Sequence, residues 1–89
     1  MSYERLPYHL VMIEWVDSSR LNNGWIDLRE IPDPYLSKCV TVGFVVYENE
    51  YGKILVPTVA DVDHAANSQT YGGMIIPLVA IISERHLTF

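Results

Sequence analysis

The stretch Cys39-Val40-Thr41-Val42-Gly43-Phe44-Val45-Val46-Tyr47 is dense in β-branched residues and ends at a turn-forming Asn49-Glu50-Tyr51-Gly52, so it reads as a strand and not a helix. With a side-chain period of two, Val40, Val42, Phe44 and Val46 share one side, and that side is the expected core face. Tyr8 to Val16 has the same character and reads as strand one, stopped by Asp17-Ser18-Ser19. Lys53 to Ala60 reads as strand three, with Gly52 expected to take a positive φ in the preceding hairpin. Pro57 cannot donate to a ladder, which predicts an edge or a bulge there.

Between these runs the pattern changes. Arg20 to Lys38 collects Asn22-Asn23-Gly24 and Pro32-Asp33-Pro34, all turn formers, and predicts a long connection with at most one helical turn over Ile26 to Glu30. Asp61 to Gly73 is a second, polar loop. The segment from Met74 to Leu87 is apolar but broken by Pro77, which predicts a short strand, a 3₁₀-like turn over Pro77 to Ala80, and a closing strand from Ile81. This element order resembles the small barrels of the SH3-like group and the related Sm-like rings. The expected fold is therefore mainly β: a small SH3-like or Sm-like five-stranded barrel in one domain spanning residues 1–89. A long loop follows strand one and a 3₁₀ turn precedes the last strand.

At 89 residues there is room for one hydrophobic core. With 49% hydrophobic and 19% charged residues the chain has the balance of a folded protein. A core of this size supplies about 3–5 kcal/mol unaided, and Cys39, the single cysteine, excludes an intrachain disulfide. Both points lead to the expectation of a homo-oligomer, a dimer or larger ring, in a reducing compartment. Met1-Ser2-Tyr3-Glu4-Arg5 lacks the basic start and apolar stretch of a secretion signal, and no apolar run is long enough to span a bilayer, so cytoplasmic residence is expected. A net charge of −5 with scattered Arg5, Arg20, Arg29, Lys38, Lys53 and Arg85 lacks the footprint of a duplex-binding protein. A small anionic, nucleotide-like ligand remains compatible, because backbone amides and one arginine can hold a phosphate locally.

The residues offer no catalytic set. Asp61-Val62-Asp63-His64 is the one crowding of carboxylates and imidazole, but strand geometry would split it between two faces, and the simpler reading is a solvated, self-capped turn. His9 and His86 read as isolated histidines in apolar strands, and Cys39 as a small hydrophobe. The five glycines form no phosphate-cradling motif. No enzyme, metal or cofactor is expected. For binding, Trp25 is either the lid of the core or an exposed apolar platform. Tyr71 follows Asn67, Ser68, Gln69 and Thr70, a set able to read a base edge, and Ser18 and Arg20 could contact a phosphate; an ordinary solvated surface is the alternative in each case.

Ile13-Glu14-Trp15-Val16-Asp17-Ser18, Gly24-Trp25, Val42-Gly43-Phe44 and Ile76-Pro77 occur in that order. This Trp-x-Asp-Ser, Gly-Trp, Val-Gly-aromatic, Ile-Pro pattern resembles small accessory proteins encoded by tailed bacteriophages. The resemblance implies a counter-defence product in the bacterial cytoplasm: an oligomeric sponge for a cyclic nucleotide immune signal, or a module that grips a host protein or joins a phage assembly.

Overall fold

The computed structural model describes residues 7–19, 21, 24–63 and 65–88. Arg20, Asn22, Asn23 and His64, named above as phosphate-contact, turn or ligand candidates, lie outside them. Among the described residues there are seven strands: β1 (His9–Asp17), β2 (Ser37–Glu48), β3 (Gly52–Val56), β4 (Val59–Ala60), β5 (Gln69–Thr70), β6 (Met74–Pro77) and β7 (Ile81–His86). Five form one antiparallel sheet in the order β6-β3-β2-β1-β7, and β4 pairs with β5 in a separate two-stranded ladder. No helix among the described residues is long and apolar enough to cross a membrane.

The boundaries follow local chemistry. Asn49 closes the β2–β3 hairpin: its Oδ1 accepts from the amides of Tyr51 (2.9 Å) and Gly52 (3.2 Å). Gly52 does not take the expected positive φ; a side chain is excluded there by close approach, since a Cβ would lie 2.7 Å from the carbonyl oxygen of Ile76. Strand three stops earlier than expected, at Val56. Pro57 sits just past its last paired residue and not on a sheet edge, because β3 has β2 and β6 on its two sides. Pro77 caps the 3₁₀ turn Leu78–Ala80, which delivers the chain directly into β7, as the sequence suggests.

The core face of β2 is the reverse of the expectation. Val11, Ile13 and Trp15 of β1 are buried, and their cross-strand partners are Gly43, Thr41 and Cys39. The inner row of β2 is thus Cys39, Thr41, Gly43 and Val45, while Val40 (64% exposed) and Val42 (52%) face outward with Phe44. The physical reason is curvature. Lys53 on β3 and Glu84 on β7 are three strand spacings apart, about 14 Å on a flat sheet, yet their charged atoms meet at 2.6 Å. On the concave side of so tight a curl the backbones crowd together, and small side chains fit where a row of valines and phenylalanine does not. A Cβ on Gly43 would already lie 2.9 Å from the carbonyl oxygen of Val56.

Val11, Ile13, Trp15, Leu55 and Ile76 form the core cluster, with Cys39, Val45, Ala80 and Ile81 packed against it. The curl brings β6 and β1 residues into one cluster. It does not close the ladder: β6 and β7 remain the two edges, linked by the 3₁₀ turn and not by strand pairing, so the expected closed barrel is an open, curled sheet. Gly43→Val should lower the unfolding free energy by about 2–3 kcal/mol through overpacking on the concave side. Val42→Thr, on the convex side, should change it by less than about 1 kcal/mol. Urea denaturation of the two variants measures both, and equal losses would contradict the assignment of faces.

Candidate binding surfaces

The described residues of the β1–β2 connection, 18–19, 21 and 24–36, form an arm. It continues the β1–β2 hairpin past its last pair, Asp17 and Ser37, and its limbs are tied where the Ser19 hydroxyl donates to the Tyr35 carbonyl at 2.5 Å. One 3₁₀ turn, Leu28–Glu30, lies within the predicted helical stretch. Its start is held by the Asp27 carboxylate, which accepts from the Arg29 amide (2.9 Å) and pairs with the Arg29 guanidinium (2.7 Å). That guanidinium, and then the Arg29 amide, hold the Asp27 carboxyl below its ordinary value, and Asp27 in turn raises the guanidinium above its own. Trp25 is not a lid. Its side chain is fully exposed, as are most of Leu28 and much of Tyr35 and Leu36. Ser18 is exposed too, with its amide donated to Asp17 Oδ1 at 2.8 Å.

The second loop is more ordered than its composition suggests. Asp61 turns the chain with φ of 56°, a 3₁₀ turn spans Ala65–Asn67, and Gln69–Thr70 returns as β5 against β4. Two of the hydroxyls proposed as ligand contacts serve the loop's own backbone: Ser68 Oγ donates to the Asp61 carbonyl (3.0 Å) and Thr70 Oγ1 to that of Thr58 (2.7 Å). Asn67, Gln69 and Tyr71 are exposed. The loop brings Asn67 to Tyr71 together, whereas Trp25 belongs to the separate arm, and no hydrogen bond among the described residues joins the two. No three described His, Cys, Asp or Glu residues converge to hold a metal ion.

Two further surfaces escape a linear reading. At the mouth of the curl a cleft of about 310 Å³ is lined by Tyr8, His9, Val45, Glu48, Lys53, Glu84 and His86 among others. Lys53 Nζ lies 2.6 Å from Glu84 and 3.1 Å from Glu48, His86 Nε2 is 3.4 Å from Glu84, and the rings of His9 and His86 stand 5.0 Å apart. The bond to Glu84, assisted by Glu48, raises Lys53 above its ordinary value against a smaller opposing effect of burial. On the convex side, Tyr47, Asn49, Tyr51, Gly52, Ile54, Ile75 and Pro77 line an apolar hollow of about 370 Å³. Tyr47, Ile54 and Ile75 are successive cross-strand partners, so one outward row builds its floor.

No family model, curated protein or solved structure matches this chain.

Lys53 is the clamp that bridges β3 to β7 across the mouth. Lys53→Met should cost about 1–2 kcal/mol, because Glu84 loses its cation while the aliphatic stem is kept. Because folding raises the Lys53 value, its contribution is fully present below the ordinary 10.5 and is lost as pH climbs through the higher folded value. Urea midpoints at neutral pH and at alkaline pH, for the wild type and Lys53→Met, should therefore converge only at the alkaline end; a constant gap would contradict the clamp.

Proposed function

We propose that this protein is a non-enzymatic binding module that engages another protein through the β6 edge and the apolar hollow beside it. The observation that carries this reading is the convex face: Ile75, 69% exposed, stands with Tyr47 and Tyr51 around a hollow next to a strand whose outer side is unpaired. An edge strand beside an apolar hollow suits an extended segment, which adds main-chain hydrogen bonds along the edge and places one apolar side chain in the recess. The net charge of −5 favours a neutral or basic partner segment. The strand order, with a 3₁₀ turn between its two edge strands, supports kinship with SH3-like small barrels. The Trp-x-Asp-Ser to Ile-Pro pattern supports a phage accessory role in the bacterial cytoplasm, with a host or phage protein as target.

A second reading, capture of a cyclic nucleotide by an oligomer, rests on Trp25 and Tyr71, both exposed and free to stack on a base, with Asn67 and Gln69 beside Tyr71. The two readings separate experimentally. A protein retained from bacterial lysate by the wild type should be lost at least tenfold with Ile75→Glu, and calorimetry against cyclic dinucleotides should be silent. Equal retention by Ile75→Glu contradicts the first reading, and micromolar nucleotide binding abolished by Tyr71→Ala would establish the second.

A further inference from the structure

We propose that the arm of one copy docks on the convex β1–β2 face of a second copy, and reciprocally, so that the protein is an arm-exchanged dimer. This goes beyond the hollow at the β6 edge and uses a different surface.

The first argument is area. The chain exposes 7363 Å², whereas a compact monomer of 10.2 kDa exposes about 5,300 Å². The difference, roughly 2,000 Å² over the whole chain, is set against the share of about 800 Å² that each partner contributes to a standard interface. Much of what is exposed is apolar, including Leu21, Trp25, Leu28, Tyr35 and Leu36 on the arm and Val40 and Val42 on the face.

The second argument is complementarity within a single sequence. The face is a continuous row: Met12 stands opposite Val42, and Leu10 opposite Phe44. Lys38 lies in the same outward row of β2, and Arg85 pairs with Met12 from β7, so two cations border the row against one acid, Glu14. The arm carries the reverse balance. Asp27 and Arg29 neutralise one another, which leaves Glu30 and Asp33 against Arg20, a net charge of −1 over residues 18–36. An apolar, acidic arm and an apolar, cation-bordered face are the two halves of one interface, and each copy owns both.

The third argument is reach. The arm begins at the Asp17–Ser37 end of its hairpin, its limbs are tied by the Ser19 to Tyr35 bond, and Trp25 and Leu28 on it remain exposed and so are not packed on its own face. A second copy laid antiparallel beside the first receives the arm over Val40 and Val42 and returns its own, which closes the contact at two subunits. Trp25 is the anchor, the residue type that most often dominates such contacts.

Sedimentation and native mass spectrometry of the full chain at micromolar concentration test this. The wild type should be dimeric, and Trp25→Glu and Val42→Glu should each weaken the dimer at least tenfold. Mixing the two variants should restore a heterodimer, because the intact arm of the Val42→Glu chain meets the intact face of the Trp25→Glu chain. If Val42→Glu does not fold, Trp25→Glu decides alone, since its indole is fully exposed on the arm. A monomeric wild type, a dimer indifferent to Trp25→Glu, two folded variants that fail to complement, or a dimer broken by Ile75→Glu but not by Val42→Glu would each overturn the proposal. The last result would leave the hollow as the self-contact; loss of lysate capture with the dimer intact would instead count against the proposed function alone.

Discussion

The Trp15 indole donating to Thr41 Oγ1 at 2.9 Å is the contact on which the rest of the structure depends. It ties β1 to β2 in the register that sets Val11, Ile13 and Trp15 opposite Gly43, Thr41 and Cys39. Because strand side chains alternate, a slip of one residue would exchange every inward side chain for an outward one. The bond also gives Thr41 a reason to face inward, for its hydroxyl satisfies the one polar atom of the largest side chain in the core. From that register follow a concave row of small residues, a curl tight enough for Lys53 to meet Glu84, and a convex row of valines turned to solvent.

The same arrangement explains why so much apolar surface lies outside the core. The core cluster is five buried side chains, Val11, Ile13, Trp15, Leu55 and Ile76, each worth about 1.5–3 kcal/mol. Conformational entropy opposes most of that sum. A chain that is 49% hydrophobic thus leaves a large share of its apolar side chains outside the core, on the arm, the convex face and the β6 hollow. Apolar surface on this scale is normally an interaction site. The mouth of the curl differs in kind: its Lys53, Glu48 and Glu84 are already paired to one another, so their charges serve the fold first.

The strands of the main sheet and their turns were largely legible because their causes are local, whereas the β4–β5 ladder, a pairing across the second loop, was not. Turn chemistry at Asn49 and the fixed φ of Pro77 act within a few residues of their effects. The two sides of β2 were legible as sides, but which one is buried was not. Alternation separates two rows, and choosing between them requires the partner register and the curvature, both set by residues distant in sequence. The apolar row was the natural choice on hydrophobicity alone, and crowding at Gly43 reversed it. Trp25 as a lid failed for a related reason, since a lid needs an opening within reach and the arm leads away from the curl. The Lys53–Glu84 clamp spans 31 positions and has no local signature.

The assignment of faces can be tested directly by nuclear Overhauser contacts in solution. The account predicts cross-peaks from the Trp15 indole N–H to the Thr41 methyl, with none from the Ile13 methyls to those of Val40 or Val42. Strong contacts between Ile13 or Trp15 and the Val40 and Val42 methyls would place the valine row inside and contradict the account.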